Sequence, residues 1–90
     1  MQNEKRSVVP VVFRHQGYRG WFYEADLNEP PHVHVGKDGK EAKFWMSPIS
    51  LSRAGHFRAN ELREIEGILS QFQYDILEAW ERERNKRDSR

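Results

Sequence analysis

Two histidines separated by one residue, in the segment Glu29-Pro30-Pro31-His32-Val33-His34-Val35, are the side chains best suited to chemistry in this sequence. Residues two apart on an extended strand project from the same face, with backbones roughly 6 to 7 Å apart. Three readings of the pair follow. First, two imidazoles can share a divalent metal ion if a third and usually a fourth donor joins them. His15, Asp26, Glu29 and His56 are the candidates for those places, and none stands at a recognised ligand spacing from the pair. Second, a neutral histidine can take a proton while a cation stabilises an oxyanion. With Lys43, Arg14 and Arg19 as the cations, that is the arrangement of a metal-independent ribonuclease, which needs no cofactor and makes His32, His34 and Lys43 its catalytic residues. Third, the histidines and Trp45 are semi-buried hydrogen-bonding side chains on a covered sheet face, and Pro30-Pro31 only stiffens the approach to the strand. His15 and His56, in turns, read as solvated surface.

The elements that must position these side chains can be read from turns and periodicity. Asp38-Gly39 between alternating residues signals a two-residue hairpin. Taken literally, it pairs Lys37 with Lys40, Val35 with Ala42, His34 with Lys43, Val33 with Phe44 and His32 with Trp45. Val33, Val35, Ala42, Phe44 and Met46 then share one face, and His32, His34, Lys43 and Trp45 share the other. Lys43 directly across from His34 would lower the histidine's pKa. Upstream, Val8 to Phe13 reads as a strand that Pro10 places at or near an edge, and Gln16-Gly17 turns it into a hairpin partner at Tyr18 to Tyr23. Arg14, Arg19, Trp21, Tyr23 and Trp45 form a candidate binding surface, with rings to stack nucleobases and cations for phosphate.

After a connector with a short fifth strand at Ile49 and Leu51, apolar residues recur at helical spacing from Leu62 to Phe72. Asn60 or a nearby residue is the expected cap, and Gly67 in this helix hints at close packing against another element. A second helix is expected from about Gln73, burying Ile76, Leu77, Ala79 and Trp80, although one long bent helix fits almost as well. The charged tail is expected to fray. The fold class is therefore α+β: an antiparallel sheet of four to five strands, in two consecutive hairpins, packed against two C-terminal helices. One domain spans 1–90, with an ordered core at about 7–83 and a polar tail at about 84–90.

Composition bounds the function. Ninety residues allow one core, and 37% apolar with 32% charged content describes a globular chain with a solvated surface. There is no cysteine, hence no disulfide or thiolate site, and a reducing, cytoplasmic location is expected. No stretch resembles a secretory leader or a membrane span. A net charge of +1 argues against a protein that coats DNA, while leaving room for a local basic patch.

The residues Glu29 to Val35, followed by Glu41-Ala42-Lys43-Phe44-Trp45-Met46, Glu61-Leu62-Arg63-Glu64-Ile65 and Leu77-Glu78-Ala79-Trp80, resemble a family of small bacterial and archaeal proteins, the domain of unknown function 4160. The resemblance covers roughly residues 8 to 83. Many members carry an Asp-His pair shortly before the prolines, where this chain has Leu27-Asn28-Glu29. Such members often form half of a two-gene pair, which implies a toxin-antitoxin-like module with a small cognate partner protein. RNA is the other expected partner, and a homodimer is compatible with the size of the chain.

Overall fold

Two tight reversals organise the sheet. Asp38 and Gly39 both take positive φ, 53° and 78°, and Gln16 and Gly17 do the same at 53° and 86°. This mirror-image turn matches the twist of a two-residue hairpin. In the computed structural model, which describes residues 8, 9 and 11–88, the turns join β1 (Phe13–His15) to β2 (Tyr18–Trp21) and β3 (His32–Lys37) to β4 (Lys40–Met46), with β5 (Ile49–Arg53) following. The five strands form one antiparallel sheet in chain order. The β3/β4 register pairs His34 with Lys43 and His32 with Trp45, as the alternation requires.

The first strand is shorter than expected. Its ladder begins only at Phe13, while Val8 makes an isolated bridge to Tyr23 and the Val9 and Val12 amides donate to the carbonyls of Phe22 and Gly20. Pro10, on which the edge assignment rested, lies outside the described residues.

One helix, α1 (Ala59–Asp88), replaces the two that were expected. Nothing in Gln71-Phe72-Gln73 interrupts it, because those residues dock it. Phe72 stacks on Phe13 with ring centroids 5.7 Å apart, and Gln73 Nε2 donates to the Met46 carbonyl at 3.0 Å. The helix also continues through the charged segment that was expected to fray. Glu, Arg and Lys are good helix formers, and Glu81–Arg84 and Glu83–Lys86 pair one turn apart. At the other end, the carboxylate of Glu61 accepts the Arg58 amide at 2.8 Å, so the cap near Asn60 is Arg58. Gly67 is exposed, and a Cβ there would meet nothing within 4 Å, which overturns the close packing inferred for it.

α1 lies across one face of the sheet. Val33, Val35, Ala42, Phe44 and Met46 are fully buried in one core cluster with Ile65, Leu69, Ile76 and Trp80. Beyond β5, Gly55 at φ 59° passes so close to β4 that a Cβ would meet the Glu41 carbonyl oxygen. Among the described residues, no helix is long and apolar enough to cross a membrane.

Candidate metal centre

The face of β3 turned away from the apolar core carries His32 and His34, but neither is on the surface. Their exposures are 0% and 2%, which agrees with a covered sheet face and leaves neither ring reaching solvent. The cover comes from the loop between β2 and β3. There a 3-10 turn at Glu24–Asp26, closed by the Leu27 amide bonding to the Glu24 carbonyl, swings Asp26 over the strand. Asp26 Oδ2 lies 3.1 Å from His32 Nε2 and 3.4 Å from His34 Nε2. Among the described residues, these three side chains are the group whose donor atoms converge as metal ligands do, all within 4.8 Å of one another.

The far side of each ring is committed elsewhere. His32 Nδ1 is 3.0 Å from the Pro30 carbonyl oxygen, which can only accept, so that nitrogen carries the proton. His34 Nδ1 sits 3.0 Å from Glu41 Oε2 yet off the line of a hydrogen bond, which leaves it buried without a partner. A carboxylate at that distance favours a proton on this nitrogen also. With both protons on Nδ1, two Nε2 lone pairs and a carboxylate oxygen point at one another. That arrangement is repulsive unless a cation lies between them. The opposite assignment, with both Nε2 atoms donating to Asp26, makes His32 a fully buried imidazolium and turns a His34 lone pair toward Glu41.

The titration of the cluster follows from its burial. With the Nε2 atoms protonated and no metal between them, desolvation pushes the Asp26 carboxyl up, but the hydrogen bonds then donated by His32 and His34, with their charge, outweigh it and hold the group below its ordinary value of 3.8. Burial pushes His34 below 6.5, aided by His32 and opposed by Asp26 and Glu41. The expected cause, Lys43, is not among these neighbours. Lys43 does pair with His34 in the register, but its ammonium lies over the Trp45 ring at 4.5 Å and 3.8 Å from Glu29.

The remaining sequence candidates divide. Trp21 stacks on His34 with centroids 6.1 Å apart, Tyr23 meets it edge-on at 4.5 Å, and Trp45 meets His32 at 5.4 Å, so these rings wall the histidines in. Arg14 and Arg19 stay exposed, Arg19 with its guanidinium 5.2 Å from the Trp21 ring centroid. Glu29 approaches His32 Nδ1 at 3.7 Å, on the side away from the converging atoms. His15 packs edge-on against Phe72, and His56 sits exposed in a turn at φ 74°, so neither joins the site. Glu41 was missed in the sequence. The hairpin register puts it opposite Gly36, on the histidine face, and that was the available signal.

The family model described as "Domain of unknown function (DUF4160)" matches residues 17–81. No curated protein and no solved structure matches the chain.

Proposed function

The chain belongs to the DUF4160 family, and within that family we propose that it is a divalent-metal-binding domain whose ligands are Asp26 Oδ2, His32 Nε2 and His34 Nε2. The observation that carries this reading is the orientation of the two rings. His32 turns Nδ1 to the Pro30 carbonyl, His34 has Nδ1 close to the Glu41 carboxylate, and both turn Nε2 to the same carboxylate oxygen of Asp26. Acceptors behind the ligand histidines are how metal sites fix the tautomer.

Two of the three donor separations, those to Asp26, also fit. An ion held tetrahedrally at about 2.0 to 2.1 Å sets its donors roughly 3.3 Å apart, beside 3.1 and 3.4 Å here. Charge favours it too, since Asp26 and Glu41 both approach the rings and a divalent cation would balance them. Two imidazoles and one carboxylate suit zinc, iron or manganese, and three protein donors leave at least one coordination position open. Binding would tie the 3-10 turn to β3, and an ion with an open position can act as a Lewis acid. Proton transfer by the histidines on RNA fits less well, because neither ring reaches solvent.

The test is metal content and melting temperature of protein purified without a histidine tag. Near-stoichiometric metal, a melting point lowered by a chelator and restored by the ion, and loss of both properties in Asp26→Ala are expected. Failure to retain metal, together with no thermal shift on adding zinc, iron(II), manganese or nickel, would sink the proposal.

A further inference from the structure

Above the buried cluster, the sheet carries a feature that the metal reading does not use. Arg14 and Arg19 are register partners on β1 and β2, and both are exposed. Like charges directly opposite each other on neighbouring strands repel, so the pair costs stability in the isolated protein. Neither arginine has a carboxylate in salt-bridge contact among the described residues. Beside Arg19 opens a cleft of about 450 Å³, lined by Trp21, Tyr23 and Lys40, by Glu41, whose carboxylate accepts from the Tyr23 hydroxyl, and by Val8 and Val11, which are 54% and 36% exposed. Trp21, 9% exposed and stacked on His34, meets the half-buried Tyr23 at an interplanar angle of 86°, and the accessible ring of this aromatic corner is that of Tyr23.

We propose that this cleft binds single-stranded nucleic acid, one base packing into the Trp21/Tyr23 corner and the flanking phosphates lying on Arg19 and Arg14. The rings favour this ligand over an acidic protein surface, which would satisfy the arginines and leave the aromatic corner unfilled. Stacking on tyrosine or tryptophan is tolerant of sequence, and the arginine stacked on Trp21 presents its donors in the fork that matches phosphate. None of the three proposed ligands lines the cleft, but Trp21 and Tyr23 pack on His34 and Glu41 stands beside it, so the binding test is run on protein of constant metal content.

Fluorescence anisotropy of the full chain with a labelled oligouridine, at about 50 and 200 mM salt, tests it. Binding should weaken steeply with salt, and each arginine removed should lower the slope of log affinity against log salt by roughly 0.7. Arg19→Glu should reduce affinity at least tenfold at the lower salt. Arg14→Glu should also weaken binding while holding or raising the melting temperature, because it sets opposite charges across the strand pair. Absence of binding at the lower salt, unchanged affinity in both variants, or equally strong displacement by polyglutamate of the same charge would overturn the proposal, the last by pointing to an acidic protein ligand.

Discussion

The β3 side chains are closed to solvent on both faces of the β3/β4 hairpin, by opposite means. Toward α1, Val33, Val35, Ala42, Phe44 and Met46 are sealed by apolar packing, which makes no demand on direction or charge. On the other face His32 and His34 are sealed by Asp26, the Pro30 carbonyl, Glu41 and aromatic edges. There every donor and acceptor needs a partner, and an unmatched one is costly. Alternation along a strand thus tells which side chains share a face without telling whether that face is wet.

Breaking the apolar face should have the largest effect. Phe44→Ala is expected to cost about 3 to 5 kcal/mol by urea denaturation, by the same amount with and without a chelator. His34→Ala should instead abolish the difference between metal-loaded and chelated protein. If both variants respond identically to the chelator, the two faces do not differ in the way argued. Next in size, Glu41→Gln keeps the fold but weakens the support behind His34, and calorimetric titration should show metal affinity lower by about 10- to 100-fold.

Acid sharpens the contrast further. The folded value of His34 lies below 6.5, so in metal-free protein the unfolded chain takes up that proton first, and stability falls as the pH drops below about 6.5. Asp26, held below 3.8, adds stability that is complete above that value and lost on further acidification. Both slopes have the same sign but different windows, so the urea midpoint should fall below about pH 6.5 through His34 and again below about pH 3.8 through Asp26, whereas the apolar face contributes nothing titratable. A midpoint flat across both windows would remove the polar cluster from the stability of the fold. The smallest effect lies outside both faces: Gly67→Ala, with open space around the new Cβ, should stabilise α1 by up to ~1 kcal/mol in a thermal melt.

Much of this architecture was legible in the sequence. Asp38-Gly39 and strict alternation gave the β3/β4 register residue for residue, and the serines alternating with Ile49 and Leu51 marked β5. The division of the helix failed at Gln71-Phe72-Gln73 because polar residues were read as a boundary. The spacing of Leu69, Phe72, Ile76 and Trp80 continues through them with no glycine or proline. The site was half legible. Two histidines at spacing two announce themselves, but Asp26 precedes His32 across a loop with two prolines, and only the folded 3-10 turn makes them neighbours. Burial under the Glu24 to Pro31 loop was one of the readings, but alternation alone could not choose it over a face open to solvent, and the rings are buried more fully than the half-covered face expected.

Gly55 gives the site a distant point of control. Any side chain at that position would have to displace the main chain at Glu41, and with it the carboxylate aimed at His34. Replacements there would therefore be felt first as a detuned imidazole 21 positions away in the chain, before any loss of the hydrophobic interior. A screen for variants with altered ion preference has good reason to start at this connector, which touches none of the three ligands.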